Sequence, residues 1–381
     1  MAPCLLLPLI ELNFIGVISM TAHKKIWLVL DSRNFGGIET HVLELAKGLI
    51  KHQIQVEVIF LANYGHHPIT PLLRQHNIPF RMLRFGLLSL IKALFIESPT
   101  LVHTHGYKAG IYGRVAGVLT ARTLVSTFHA GECVSGKLAV YDFFDRLSSV
   151  LSHSLIAVSN QISARLTHQC TVLNNFVSVE QQRFPGNQIA FVGRLSYEKG
   201  PDSFIELSSC FKQRLFHVYG DGPMREQLEK KAGDNVIFHG HQANMAQQWQ
   251  NIGLLVMPSR NEGLPMAALE AMAHGIPVCA YNVGSLNQLI NDCNGWLAQA
   301  GDIKSLRYAI SQWLSYSLKR KFSLSRRARK RIVNKFSDVT VVPDVVDCYN
   351  QALIKNSLPH QQLLPKYLPQ FKEHSHDFNQ S

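Results

Sequence analysis

Two acids eight residues apart, Glu262 and Glu270, stand in a stretch that also holds Gly263, Leu264, Pro265 and Met266. A β-rich run over 254–259 precedes them. Pro265 suits the first position of a helix and Gly275 suits its close, so Glu262 falls in the loop and Glu270 within the helix. That helix is otherwise nearly all Ala, Leu and Met and is expected to be buried. The unpaired N–H groups at its start, near Leu264, Met266 and Ala267, would face an anion, and the two carboxylates would accept hydrogen bonds from hydroxyls beside it.

A second constellation lies upstream. The apolar run beginning at Ile189 leads into Gly193-Arg194-Leu195-Ser196-Tyr197-Glu198-Lys199-Gly200. A planar guanidinium and a mobile ammonium just past a strand end suit a diphosphate and neutralise leaving-group charge without a metal; the alternative is a solvated pair. Val218-Tyr219-Gly220-Asp221-Gly222-Pro223 reads as a tight turn after another strand, placing Gly222 beside a ligand or simply closing a loop. Gly36 and Gly37 sit between the first strand and its helix, where paired glycines let backbone N–H groups approach a phosphate, although a plain turn explains them equally.

Metal chemistry has weaker support. There is no Asp-x-Asp. His103 with His105, and His239 with His241, have a spacing two ligands could use, but neither pair has an evident third partner in the sequence, and no metal site is expected.

These residues need elements to hold them. β-rich runs at 26–31, 56–61, 101–105 and 123–129 alternate with helical patterns at 41–52 and 109–119. After 154–159 and 171–176 the pattern restarts with runs at 189–195, 215–220, 236–240, 254–259 and 278–281. Such alternation means βαβ units and parallel sheets. We therefore expect two doubly wound α/β domains, residues 20–180 and 188–336, divided in the polar stretch 177–187, with a helix over 337–355 crossing back and a tail over 356–381. Two such sheets facing each other put the carboxyl ends of their strands along one cleft.

The 381 residues suit two domains, and the 46% apolar and 17% charged composition is that of a globular chain without a membrane span. Seven scattered cysteines argue for a reducing, cytoplasmic setting. Residues 1–19 are apolar but lack a basic start and carry Glu11, against a signal peptide; Met20 is an alternative start. The net charge of +12 is uneven: residues 303–340 hold eleven Lys and Arg against Asp338. This segment lies outside the ligand-binding motifs and reads as a contact with an anionic membrane surface, the alternative being a solvated helix face. Phe85-Gly86-Leu87-Leu88 and Leu90-Ile91 could add apolar contacts with lipid.

From about Ile26 to Lys355, the chain resembles the family-4 retaining glycosyltransferases of the GT-B fold, of the bacterial lipopolysaccharide and exopolysaccharide type. The resemblance rests on Gly193 to Gly200, Val218 to Pro223 and the E-x7-E element from Glu262 to Glu270, in the family's order. It implies a nucleotide-diphosphate sugar as co-substrate, no cofactor, no metal and no nucleic acid. By resemblance Gly36 and Gly37 touch the donor from the first domain, and Arg194 with Lys199 grips the diphosphate. Glu262 meets the transferred sugar, Glu270 meets the ribose, and His129 lies close to the donor sugar. The acceptor would be lipid-linked or a glycan, and the enzyme peripheral on the inner face of the plasma membrane. Two departures stand out: the family's frequent Gly-Gly-x-Pro-Glu turn reads Gly284-Ser285-Leu286-Asn287-Gln288, and its Asn-Gly reads Asn174-Asn175. A nucleotide-sugar epimerase, a glycogen-phosphorylase-like enzyme and an inactive nucleotide-sugar-binding protein remain alternatives on the same scaffold.

Overall fold

The computed structural model describes residues 25–84, 86–129, 136–179, 186–242 and 245–356. The alternative start, Phe85, Pro185 and most of the tail lie outside these residues.

The first domain runs β1 (Lys25–Leu30), α1 (Gly37–Lys51), β2 (Gln55–Phe60), α2 (Thr70–Gln75), β3 (Phe80–Met82), α3 (Leu87–Glu97), β4 (Leu101–His105), α4 (Tyr107–Leu119), β5 (Thr123–Phe128), α5 (Lys137–Leu147), β6 (Ser154–Ala157), α6 (Asn160–Ser163) and β7 (Thr171–Val172). The second runs β8 (Gln188–Val192), α7 (Pro201–Ser209), β9 (Phe216–Tyr219), α8 (Arg225–Lys231), β10 (Val236–Gly240), β11 (Ile252–Met257), α9 (Met266–Ala273), β12 (Val278–Tyr281), α10 (Leu286–Leu289), β13 (Gly295–Ala298), α11 (Ile303–Ser315) and α12 (Leu318–Lys335). A last helix, α13 (Asp338–Lys355), follows. Two parallel sheets result, ordered β3-β2-β1-β4-β5-β6-β7 and β10-β9-β8-β11-β12-β13.

Helices cover both faces of each sheet, so the inner strands are apolar throughout: Ile26, Trp27, Leu28, Val29 and Leu30 in β1, and Leu254, Leu255, Val256 and Met257 in β11, are all buried. Strand order reverses between β1 and β4 in one sheet and between β8 and β11 in the other. Ligands bind such sheets beyond the strand ends at these reversals. Their loops carry Gly36 and Gly37 after β1, Gly193 to Lys199 after β8, and Glu262 after β11.

The crossover helix ties the domains together. Val177 pairs with Ser337 as an isolated parallel bridge, and α13 lays Val342, Val345, Val346 and Tyr349 into the first domain's core. Tyr349 Oη lies 2.7 Å from His103 Nδ1, and Lys51 Nζ 2.5 Å from Asp338 Oδ2. Among the described residues no helix is long and apolar enough to cross a membrane.

Two surface expectations need correction. Leu90 is fully buried and Leu87 and Ile91 pack against the core, because α3 uses this face to cover its sheet; among the described residues of the expected lipid-facing group only Leu88 is strongly exposed. The basic segment is also partly structural. Arg327 Nε donates to Cys293 O at 2.6 Å, Arg329 to Ala273 O and Arg331 to Gln288 O. Ala273 is the last residue of α9, so Arg329 satisfies a carbonyl that the helix end leaves open.

Candidate active site

A cleft of about 1160 Å³ opens between the domains, and every candidate ligand residue from the sequence lines it: Gly36, Gly37, His129, Gly193, Arg194, Lys199, Gly222, Glu262, Gly263, Leu264, Pro265, Met266 and Glu270. A Cβ on Gly37 would stand 3.9 Å from Met266 Cγ, so the first domain's glycine loop faces the start of α9 across the cleft. Pro265 is the residue before α9 rather than its first; its backbone is extended and the helix begins at Met266.

The loops after β8 and β11 lock to each other. Arg260 Nη1 and Nη2 reach both Asp202 oxygens at 2.9 and 2.6 Å, and Arg260 N donates to Glu198 O at 2.8 Å. Gly200, at φ +64°, lies so close that a Cβ would fall 2.0 Å from Pro258 O. Across this junction Lys199 Nζ meets Glu262 Oε2 at 2.7 Å, while Glu262 Oε1 accepts from Ser259 Oγ at 2.8 Å. Glu262 is only 4% exposed. A carboxylate so buried needs its cation and its hydroxyl partner. Arg194 is exposed and forms no ion pair among the described residues, which leaves its guanidinium available to an anion.

Gly284 plays a matching role behind the loop. At φ +59°, with a would-be Cβ 1.9 Å from Glu262 O, it admits no side chain, and Ser285 N donates to Gly263 O at 2.9 Å. The turn that departs from the family pattern at Gln288 thus still supports Glu262.

Glu270 follows within α9, partly buried in the wall of the cleft. Trp249 Nε1 donates to its Oε2 at 3.2 Å. Burial, reinforced by the carboxylate of Glu44 on α1, pushes its carboxyl up to about 7 despite that hydrogen bond. Glu39, in the first turn of α1, is likewise raised by burial. Asp221 is a turn residue: its Oδ1 accepts from Gly222 N at 2.7 Å and its Oδ2 from Arg225 Nη1 at 2.9 Å.

The histidines are arranged differently from the sequence reading. His103 and His105 lie on one face of β4, ring centroids 4.1 Å apart, and His41 and His129 join them. A third partner for His105 therefore exists: one nitrogen each from His41, His105 and His129 fall within 4.8 Å of one another. The sequence hid this because the three residues come from α1, β4 and the end of β5. His105 Nδ1 and His129 Nε2 are hydrogen-bonded at 3.1 Å, so one nitrogen of each ring is directed at the other rather than at a shared ion. His239 pairs with His217 at 2.9 Å instead of with His241.

Sequence reasoning missed the supporting residues. Trp249, Ser259 and Arg260 carry no signal without the geometry. Asn175, read only as a departure from a pattern, is buried in the cleft wall and donates to Leu264 O at 2.9 Å.

Comparison with known proteins covers both domains. Residues 35–181 match the model for Glycosyltransferase Family 4, and residues 186–316 that for Glycosyl transferases group 1. The chain is 23% identical over 369 residues to the capsular polysaccharide biosynthesis glycosyltransferase CapM of Staphylococcus aureus, covering 82% of this chain and 97% of CapM. It is 26% identical over 305 residues to an Escherichia coli UDP-Gal:alpha-D-GlcNAc-diphosphoundecaprenol alpha-1,3-galactosyltransferase, covering 69% and 78%. In structure it is similar to Anabaena HepE, solved in complex with UDP, at a TM-score of 0.72 and 20% identity over 86% of this chain and 99% of that one. By its two-domain fold and by the matches of both domains, the chain is a GT-B glycosyltransferase of the group 1 type.

Proposed function

We propose that this chain moves a sugar from a UDP-linked donor to a hydroxyl of a lipid-linked or glycan acceptor, with retention of configuration, in the assembly of a bacterial surface polysaccharide. The observation that carries this reading is the convergence on one cleft of Arg194, Lys199, the start of α9, and the two acids Glu262 and Glu270. Cations and helix N–H groups suit a diphosphate, and carboxylates suit sugar and ribose hydroxyls. The UDP and UDP-glucose complexes of HepE and the lipid-diphosphate acceptor named for the Escherichia coli relative support the choice of donor and acceptor.

In the proposed step the bond from the anomeric carbon to the β-phosphate oxygen breaks as the acceptor oxygen bonds to the same face. The departing phosphate oxygen takes the acceptor's proton. Arg194 and Lys199 stabilise the charge on the leaving diphosphate, and no metal is required. For Lys199 this means sharing its ammonium between Glu262 and the phosphate, which places the sugar's hydroxyls against Glu262.

Membrane attachment belongs to the same reading, with its surface revised. Lys319, Arg326, Lys330 and Lys335 are exposed cations of α12, and α5 with the turn after it exposes Phe143, Phe144, Leu147 and Val150. The donor is tested by a panel of UDP-, GDP- and ADP-sugars: UDP-sugars should raise the melting temperature, and stabilisation by GDP- or ADP-sugars alone would refute the base assignment.

A further inference from the structure

β4 and β5 run side by side in parallel with His105 opposite Thr127, so His129, two residues on, emerges on the same face beside His105. Thr127 itself is engaged by His103, whose Nε2 lies 2.7 Å from Thr127 Oγ1. His129 Nε2 is directed at His105 Nδ1, and the edge-on ring of His41, 4.7 Å away at 72°, restricts its rotation. Its Nδ1 has no partner among the described residues. Because His129 lines the cleft, Nδ1 is the ring nitrogen left for a ligand.

The protons can be assigned from the unpaired atoms. Burial holds both rings well below the ordinary imidazole range, and the neighbouring histidines push the same way, so each is neutral and carries one N–H. His105 Nε2 is buried with no hydrogen-bond partner. Without a proton Nε2 is an unpaired acceptor, and with one it is a buried donor without an acceptor, which is the rarer arrangement in folded proteins. The proton of His105 is therefore on Nδ1, which donates to His129 Nε2. His129 accepts at Nε2 and must carry its own proton on Nδ1.

We propose that His105 is a positioning residue that fixes His129 in the Nδ1–H tautomer, so that His129 offers the donor sugar a hydrogen-bond donor and not a base. This rests on the reading that the sugar binds beside His129. It gives the cleft a neutral N–H aimed at a sugar oxygen, and it removes His129 from competition for the acceptor's proton, which goes to the phosphate oxygen.

Two measurements on the full chain test it. The first is ¹⁵N-detected histidine tautomers of the ligand-free protein, with His129 identified by the signal lost in His129→Gln. Nδ1–H is expected. A proton on Nε2, or stoichiometric zinc bound through either nitrogen of His129, overturns the proposal whatever the activity. The second compares near-isosteric substitutions in folded variants: His105→Asp, which presents only an acceptor, should lower kcat about a hundredfold, the loss expected for one preorganised donor. His105→Asn, which keeps an N–H near the position of Nδ1, should recover at least about tenfold of that loss, with donor KM little changed in both. Equal rates for the two would contradict the proposal. Should His105→Asp fail to fold, the tautomer measurement decides alone. An Nδ1–H tautomer combined with undiminished transfer by His129→Ala would refute the placement of the sugar and leave the tautomer assignment standing.

Discussion

Lys199 Nζ and Glu262 Oε2 lie 2.7 Å apart, joining the loop after β8 to the loop after β11 at the point where the second sheet reverses its strand order. The residue expected to hold phosphate and the residue expected to hold sugar are each other's partners before any donor enters. The pair is unequal, with the Lys199 side chain 28% exposed and that of Glu262 4% exposed. Lysine can swing toward a ligand while the acid stays fixed by Ser259.

Changing the two members should therefore give different kinetics. Glu262→Ala removes contacts to the reacting sugar and should fall mainly on kcat. Lys199→Ala strips charge from the leaving group and leaves Glu262 unpaired, so it should cost about 3–4 kcal/mol of transition-state stabilisation and also lower the melting temperature. Steady-state kinetics with thermal melts checks both; wild-type kcat in both variants would remove the pair from the mechanism.

Glu270 provides a pH test. With its carboxyl raised from 4.5 to about 7, the folded chain holds a proton there that the unfolded chain has released, so this group's stabilising contribution is lost as pH rises from about 4.5 through 7. Ribose hydroxyls donate to a carboxylate and favour its ionised form. Affinity for an intact sugar nucleotide should thus strengthen as pH rises toward about 7, by about tenfold for each pKa unit that binding lowers Glu270, with proton release below that pH. Calorimetry in buffers of different ionisation enthalpy measures this. Glu270→Gln should bind more weakly and lose the pH dependence, and a Gln variant with an unchanged profile would assign the titration elsewhere.

How much of this was legible beforehand depends on the range of the interaction. Both domains followed from periodicity, since inner parallel strands such as β1 and β11 are uninterrupted apolar runs. β3 and β13 were not evident: Phe80-Arg81-Met82 is three residues with a charge at its centre, and Gly295–Ala298 opens on glycine at a sheet edge. The acids and cations of the cleft stood out because a motif is local. The histidine cluster, the Arg260–Asp202 clamp and the carbonyl contacts of Arg329 and Arg331 depend on contacts between residues far apart in sequence, which spacing does not record.

The first domain contains a buried pair that should be costly to break. Arg114 is 1% exposed and donates to Asp145 Oδ1 at 2.8 Å and Asp145 O at 2.7 Å, and burial pushes the Asp145 carboxyl up to about 6 even against that guanidinium. Arg114→Met should cost about 3–5 kcal/mol in chemical denaturation, because it leaves Asp145 buried without its cation, and adding Asp145→Leu should recover part of the loss. A loss below 1 kcal/mol for the single variant would argue that the pair contributes little.

If the proposed membrane attachment holds, the charge of α12 separates into two roles. Replacing Lys319, Arg326, Lys330 and Lys335 with Gln should abolish low-salt sedimentation with anionic liposomes without lowering the melting temperature, whereas Arg329→Gln and Arg331→Gln should lower it. Attachment by the wild type should be lost near 1 M salt, where the Debye length falls to about 3 Å. Failure of the wild type to sediment at low salt would exclude the electrostatic attachment.

The most direct test of the central claim is acceptor-dependent release of nucleoside diphosphate from a panel of sugar nucleotides, in EDTA, with a lipid-diphosphate glycan as acceptor and the product's anomeric configuration read by NMR. Turnover of at least one UDP-sugar with retained configuration, lowered at least about a hundredfold by Arg194→Ala or Lys199→Ala, is the expected result. Absence of turnover from every UDP-sugar, inversion at the anomeric carbon, or activity that vanishes in EDTA and returns with Mg²⁺ or Mn²⁺, would contradict it.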